Sequence, residues 1–460
     1  MITFSIIQKS HLESAHRLDA EYYQPEYLKT EDILGKLKTA LLSEVCKITD
    51  GNHSKISEKF SDSGVRYLRG MDLSDFFISD ADPVYIPEEI YKVLKRSYIF
   101  QNDVLVSIVG TVGLISIIAD QYEKLTGNCK IAILHCKDID PWFLATFLAC
   151  RYGQAQIKRK VAGAVQTGII LKDLANILIP VVNGENQKQV KEIIQEAHKN
   201  QVLSKSLYFQ AEDLLLKELG LKDFKPTEEL SYIVNLSNVK STHRVDAEYF
   251  QPKYDKIEKI LNRFRRERLE DMSSLISYGT VPTSPYVEKE GVSYIKGENL
   301  RDCFIDYTKL VRLETDSTKL LPPKFYLKEG DIIISQMGTV GRTGLVTKQE
   351  EGWLFASFTI RVRLKEESKA ILNPLFATLF IENISRPYYL LRRISQASVR
   401  QNTDLPTIKD LKVPILPKPT QDKIADLVCK SHQARKKAIE LLEKAKREVE
   451  EFIEGKKHQR

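Results

Sequence analysis

His16-Arg17-Leu18-Asp19-Ala20-Glu21-Tyr22-Tyr23-Gln24-Pro25-Glu26-Tyr27 returns as His243-Arg244-Val245-Asp246-Ala247-Glu248-Tyr249-Phe250-Gln251-Pro252-Lys253-Tyr254, 227 residues later. At the same offset Gly64-Val65-Arg66-Tyr67-Leu68-Arg69-Gly70 matches Gly291-Val292-Ser293-Tyr294-Ile295-Lys296-Gly297. At 228, Asp103-Val104-Leu105-Val106-Ser107 with Gly110-Thr111-Val112-Gly113 matches Asp331-Ile332-Ile333-Ile334-Ser335 with Gly338-Thr339-Val340-Gly341. Ile179-Pro180 matches Val413-Pro414 at 234. One unit of about 230 residues is therefore written twice. So long a period marks a duplicated domain rather than a solenoid, and it predicts pseudo-twofold symmetry.

Both copies share one internal order, which predicts an α+β fold. Short β-rich runs alternate with Gly and Pro turns. The apolar runs Val104–Val106 and Ile332–Ile334 read as buried strands. Asp140-Pro141 and Asn373-Pro374 open short helices, a cap residue followed by proline at the first helical position. A long helix closes each copy. Val190, Ile194, Ala197, Gln201, Ser204, Tyr208, Ala211 and Leu215 advance by alternating steps of four and three. Ile424, Val428, Ser431, Arg435, Ala438, Leu442, Ala445 and Val449 do the same, in the same register. That spacing is a coiled-coil seam. It predicts two helices packed on each other as an antiparallel coiled coil, which would hold the two globular parts at opposite ends; two separate surface helices are the alternative. The expected divisions are a globular part over 1–183, a helix over 184–220 ending at Gly220, a second globular part over 221–416, and a helix over 417–456 with Gly455 near its end.

The 460 residues are 42% hydrophobic and 28% charged, an ordinary globular balance that excludes general disorder. No uncharged apolar run approaches a membrane span, and Met1–Lys9 lacks the pattern of a secretory signal. Six cysteines stand singly at 46, 129, 136, 150, 303 and 429, without a CxxC pair. Reduced thiols and a cytoplasmic setting are expected. The net charge of +7 permits a nucleic-acid partner without demanding one. Gly338, Gly341 and Gly344 lack the Lys-Ser/Thr of a phosphate-binding loop, and no HExxH or dinucleotide fingerprint occurs. Asn373-Pro374-Leu375-Phe376 lacks the second proline of the adenine-methyltransferase loop, and helix capping explains it. The eight histidines form no triad; His16 and His243 recur in an opening turn and read as structural. No catalytic residue, metal site or bound cofactor is expected.

The duplicated loops carry the binding candidates. Arg69-Gly70 and Lys296-Gly297 pair a cation with a glycine at the end of a β run, which suits a phosphate. Gly110, Thr111 and Gly113 bound one turn, and Gly338, Thr339 and Gly341 the other. These are hairpin turns needing positive φ, or recognition loops. Ser335-Gln336 and Arg342 beside the second turn favour recognition, since Gln and Arg can each hold a base edge with two hydrogen bonds. Residues 386–400 contain Arg386, Arg392, Arg393 and Arg400 and no acid; residues 151–172 contain Arg151, Lys158, Arg159 and Lys160 and no acid. These stretches read as a nucleic-acid surface or as a solvated helix face. Gln166-Thr167 and Gln401-Asn402 follow them, as base readers or loop caps. The basic run at 263–268 has no counterpart in the first copy and reads as solvated.

In this order the motifs resemble the specificity subunit of type I restriction-modification systems. The residues that carry the likeness are Asp-Ala-Glu-Tyr-Tyr/Phe-Gln-Pro at both openings, the two Gly-Thr-Val-Gly turns, Ile179-Pro180 before Gln187, and Val413-Pro414 before Gln421. The first copy departs from the family's proline pair with Val181-Val182-Asn183-Gly184. The resemblance implies two target recognition domains, each reading one half of a split, asymmetric duplex DNA sequence, with helices that fix the gap. It implies two methylation subunits carrying S-adenosylmethionine, and restriction subunits using ATP and magnesium. The chain itself would catalyse nothing. A specificity chain serving a fused modification and cleavage partner, or a protein scaffold gripping two copies of one partner, are the alternatives.

Overall fold

The computed structural model describes residues 4–15, 17–74, 76–163, 167–226, 229–282, 284–288, 290–394 and 402–455. The chain forms two compact units, Met1–Val202 with Arg435–Arg460, and Leu203–Ala434. Each long helix is divided between them near its middle.

In the first unit the strands of the two larger sheets are β1 (Cys46–Asp50), β2 (Val65–Leu68), β3 (Val84–Ile86), β4 (Val104–Ser107), β5 (Ile115–Ile117), β6 (Leu125–Gly127) and β7 (Ile131–Cys136). One antiparallel sheet has the order β1-β7-β4-β5. A second has the order β3-β2-β6, with β2 and β6 parallel. Strand β4 lies where the two layers meet. Val104 and Val106 join Phe143 and Phe147 of helix α1 (Pro141–Ala149), while Leu105 joins Leu68, Ile118 and Leu125 on the other side. Alternate side chains leave a strand on opposite faces, so a strand covered on both must be apolar throughout. Helix α1 starts where Asp140 Oδ1 accepts the Trp142 and Phe143 N–H groups at 2.9 and 3.2 Å. Helix α2 (Arg151–Arg159) follows.

The second unit repeats this plan with β8 (Ser273–Tyr278), β9 (Tyr286–Val287), β10 (Val292–Ile295), β11 (Val311–Leu313), β12 (Ile332–Ser335), β13 (Thr343–Leu345), β14 (Leu354–Phe355) and β15 (Thr359–Leu364). The sheet β8-β15-β12-β13 is antiparallel; in β9-β11-β10-β14 the last pair is parallel. Ile332 and Ile334 face Phe376 and Phe380, whereas Ile333 faces Ile295 and Phe355. Asn373 Oδ1 caps the Pro374–Phe380 helix through Leu375 N–H at 2.9 Å.

Helix α3 (Gly184–Glu218) and the C-terminal helix (Lys418–Ile453) complete both cores. In the first unit Val190 and Ile194 share a core with Ala445, Val449 and Ile453. In the second, Ala211, Leu215 and Leu219 share one with Ile424, Ala425 and Val428. Ser431 Oγ donates to the Ser204 carbonyl at 2.7 Å, and both serines are buried, so the small seam residues let the helix backbones approach closely. Gln187 Oε1 accepts Asp140 N–H at 2.9 Å, and Gln421 Oε1 accepts Asn373 N–H at 2.8 Å. These glutamines tie the first turn of each long helix to the capped short helix. Gly220 and Gly455 end the long helices at φ of 67° and 70°, where only glycine is unstrained.

The repeated opening motif is a clamp. Arg17 holds Asp19 through two bonds of 2.6 Å, and its guanidinium lies 5.0 Å from the Tyr22 ring, with Arg159 at 4.3 Å from the same ring. Arg244, Asp246, Tyr249 and Arg392 repeat the arrangement at 4.9 and 4.7 Å. His243 takes a left-handed backbone after the Leu236–Thr242 helix; His16 lies outside the described residues. Among the described residues no helix is long and apolar enough to cross a membrane, and no group of three metal-ligating side chains assembles.

Candidate nucleic-acid interface

The site starts at the turn that joins β4 to the edge strand β5 in the first unit and β12 to the edge strand β13 in the second. Ser107 Oγ donates to the Thr111 carbonyl at 2.5 Å and accepts Leu114 N–H at 2.8 Å. Ser335 Oγ donates to the Thr339 carbonyl and accepts Arg342 N–H at 3.0 Å. Gly113 N–H reaches Ser107 O, and Gly341 N–H reaches Ser335 O, both at 2.9 Å. Gly110, Gly113, Gly338 and Gly341 all have positive φ, from 76° to 91°. The turns are thus hairpins that require glycine. Ser335 is fully buried and its hydroxyl is committed to the turn, so it shapes the loop and presents nothing to a base.

The two glycines of each turn do different work. Gly113 faces α2, whose Gln154 Nε2 donates to the Gly113 carbonyl at 2.8 Å. Gly341 faces the helical segment Ile381–Leu390, whose Arg386 Nε donates to the Val340 carbonyl at 2.9 Å. A Cβ on Gly341 would come within 2.9 Å of Arg386 Cγ and Leu390 Cδ1, whereas a Cβ on Gly338 would meet nothing within 4 Å. Gly338→Ala is expected to cost about 1 kcal/mol from backbone strain alone, and Gly341→Ala about 2–3 kcal/mol because the turn must also leave its helix. Urea denaturation of the two variants measures the difference.

Other loops converge on the turn. Gly110 N–H donates to Thr167 O at 3.2 Å and Ile169 N–H to Ile108 O at 3.0 Å. Thr403 N–H donates to Gln336 O at 3.0 Å, and Met337 pairs with Asn402 as an antiparallel bridge. On the other side Ile108 N–H donates to Lys130 O, and Gln336 N–H to Phe358 O, both at 2.9 Å. The cation-glycine loops arrive beside these: a Cβ on Gly70 would lie 3.2 Å from Lys130 Cβ, and one on Gly297 3.5 Å from Ser335 Cβ. Thr111 and Thr167 are exposed in the first cluster, and Gly338, Thr339 and Asn402 in the second. Lys130 and Phe358 are exposed at the same places and were not among the expected residues. The 228-residue offset that relates the turns also relates Lys130 to Phe358.

The basic residues are mostly spoken for within the chain. Arg69 pairs with Asp72 at 2.9 Å and Asp82 at 3.1 Å, and the Asp72 carboxylate raises its already high pKa. Arg159 donates to Tyr22 O at 3.0 Å and pairs with Glu31 at 2.8 Å. Arg392 repeats this on Tyr249 and Asp255, and Arg393 stacks on Tyr389 at 3.5 Å. Arg151 pairs with Glu450 and Glu454. Among the described residues, Arg151, Arg159, Arg392 and Arg393 of the acid-free stretches are therefore held by contacts within the chain. Lys296 reaches Glu298 at 2.5 Å but keeps 30% of its side chain exposed. Lys160 is half-buried, which lowers its pKa, and Lys158 is exposed. Gln166, Arg400 and Gln401 lie outside the described residues.

Behind the second turn sits a group of acids. Arg342 Nη1 lies 3.9 Å from Glu382 Oε1. Glu382 is buried, which pushes its carboxyl up. Glu212 on α3 accepts from Asn383 Nδ2 at 2.8 Å, and its carboxyl is pushed up to about 7, first by burial and then by Asp302 and Glu382 against the Asn383 bond. A folded carboxyl that holds its proton more tightly than the unfolded one loses stability as pH rises from about 4.3 through the folded value. Glu212→Gln keeps the Asn383 bond and removes this loss. The variant is expected to match the parent at pH 4 and exceed it at pH 8, as thermal melts at the two pH values would show.

The sequence model described as type I restriction modification DNA specificity domain matches residues 36–207 and again 264–451. The chain belongs to this family. Both matches of the specificity domain contain the glycine turn and the short capped helix. The type I restriction enzyme EcoBI specificity subunit of Escherichia coli is 29% identical over 131 residues, which span 28% of this chain and 27% of that relative. Among solved structures, the S subunit of the type I restriction-modification system from M. genitalium aligns over 90% of this chain and 96% of its own, at 14% identity and a TM-score of 0.47. The HsdS subunit from Thermoanaerobacter tengcongensis aligns over 90% and 95%, at 14% identity and a TM-score of 0.29.

Proposed function

We propose that this chain is the DNA-reading subunit of a type I restriction-modification complex. The β-rich parts, over 1–183 and 221–416, act as target recognition domains, and each reads one half of a bipartite duplex sequence. The long helices, over 184–220 and 417–456, pair as an antiparallel coiled coil with pseudo-twofold symmetry. They set the gap between half-sites and dock two methylation subunits. S-adenosylmethionine belongs to those subunits, and ATP and magnesium to restriction subunits; this chain contributes sequence choice and no reacting group. The complex works in the cytoplasm.

The observation that carries the reading is the same loop cluster built twice, by the same bonds, with different side chains on it. At matched positions the first copy places Ile108, Leu114 and Lys130, and the second Gln336, Arg342 and Phe358. One scaffold with two chemistries suits an asymmetric target. Phosphate contacts position such a protein and base contacts specify the sequence. Lys296, with Gly297 beside the second turn, suits the first task; Gln336, Thr339, Arg342 and Asn402 suit the second. In the first copy Gly70, Thr111, Thr167 and Lys130 lie at the equivalent cluster. Antiparallel pairing is supported by the start of α3 sharing a core with the end of the C-terminal helix, and the end of α3 with its start.

Gln336→Ala is expected to change which duplexes are selected from a randomised library, and Lys296→Ala to weaken binding to all of them. A bidentate base contact is worth about 1–3 kcal/mol of discrimination, whereas loss of one phosphate contact lowers the salt slope by about one without altering the sequence preference. Selection followed by sequencing, and titrations across salt, give both readouts. Identical preference and identical affinity for both variants would contradict the assignment.

A further inference from the structure

Glu382 is 7% exposed, yet its Oε1 lies 3.9 Å from the guanidinium of Arg342, which borders the loop cluster. Its Oε2 accepts three hydrogen bonds, from Thr343 Oγ1 at 2.7 Å, Thr343 N–H at 3.1 Å and Cys303 N–H at 3.2 Å. Those bonds fix the carboxylate. Its other oxygen faces the Arg342 guanidinium at 3.9 Å, and that side chain is 35% exposed. The groups facing Glu382 are Arg342 and Thr343 at the start of β13, Asp302 and Cys303 in the loop before residue 304, Tyr208 and Glu212 on α3, and Arg386 on its own helical segment.

The first copy shows that the fold does not need this pair. The residue after the second turn glycine is Leu114 there and Arg342 here. The residue eight beyond the helix-opening proline is Ala149 there and Glu382 here. The first turn nevertheless forms the same serine and glycine bonds. A buried carboxylate costs stability, and here it is retained where an apolar pair suffices.

We propose that Glu382 is a positioning residue that aims Arg342 at the base read by the second domain. The inference rests on the reading of that domain as a base reader. A guanidinium on four rotatable bonds loses entropy when it docks on a base edge. A fixed carboxylate behind it restricts the directions it samples, and the gap of 3.9 Å leaves it free to turn outward. Arg386 cannot substitute, because its Nε is held on the Val340 carbonyl at 2.9 Å.

The test is a double-mutant cycle on the full chain with Glu382→Gln and Arg342→Leu, read by selection from a duplex library randomised at every position. Arg342→Leu is expected to relax preference at one base pair by about tenfold or more. Glu382→Gln is expected to relax the same base pair by several-fold, with equal or tighter binding to non-cognate DNA because a negative charge is gone. In the Arg342→Leu background, Glu382→Gln is expected to change base preference no further. Independent effects of the two substitutions, or relaxation at a different base pair, would overturn the proposal. An Arg342→Leu variant with unaltered preference would instead overturn the role of this turn in reading. Thermal melts of Glu382→Gln separate loss of aim from loss of fold; a variant that loses preference only because it unfolds would lose affinity for all sequences alike, which contradicts the proposal.

Discussion

Ile194→Asp is expected to abolish the folded first unit. Ile194 is fully buried on α3, in one core with Phe143, Leu148 and Val449. Burying an unpaired charge costs several kcal/mol even after the group shifts its protonation. That approaches the whole stability of a domain, about 5–15 kcal/mol. Ile194→Val, at about 0.5–1.5 kcal/mol, is the control that leaves chemistry unchanged. Circular dichroism melts are expected to show a near-native transition for the valine variant and none for the aspartate variant in the first unit. A cooperative native-like melt with aspartate would mean that the helix seam does not close this core.

The second large effect is expected at Gly279. A Cβ there would lie 2.2 Å from the Phe355 carbonyl oxygen and 2.3 Å from that of Ala356. Both are backbone atoms held in the sheet, so neither can swing away. Thr280 N–H donates to Phe355 O at 2.9 Å across the same contact. Gly279→Ala must therefore separate the end of β8 from the loop that carries Phe358, at a cost of about 3 kcal/mol or more. Gly352→Ala has a left-handed backbone but nothing within 4 Å, and should cost about 1 kcal/mol. Guanidinium denaturation is expected to rank the two in that order, and Gly279→Ala to lose DNA selection by the second domain first. Gly51 occupies the same place in the first copy, 2.0 Å from the Asn128 carbonyl oxygen.

The architecture was legible because its signals are local and repeated. Val104–Val106 and Ile332–Ile334 are apolar on both faces, and the structure covers both faces. Asp140 and Asn373 cap the helices that their proline neighbours announced. The positions of the glycine turns were legible for the same reason. The roles of the arginines were not. Arg159 finds Tyr22 across 137 residues and Arg392 finds Tyr249 across 143, so no local pattern shows that these cations are occupied. Ser335 illustrates a second limit. A polar residue beside a glycine turn can face out or close the turn, and only the sheet decides. Lys130 and Phe358 carry no local signal, because strand pairing, not sequence proximity, brings them beside Ile108 and Gln336. The family's proline-to-glutamine interval turned out to have a plain physical content, since Gln187 and Gln421 bind the caps of the short helices.

The most direct measurement is an exchange of residues 36–183 for the corresponding part of a specificity subunit with a different target, in cells that supply the methylation subunits. Sequencing of methylated bases is predicted to show one half of the recognised sequence replaced, with the other half and the intervening gap retained. A target altered in both halves, or altered in neither, would contradict a chain that reads DNA twice through two independent domains.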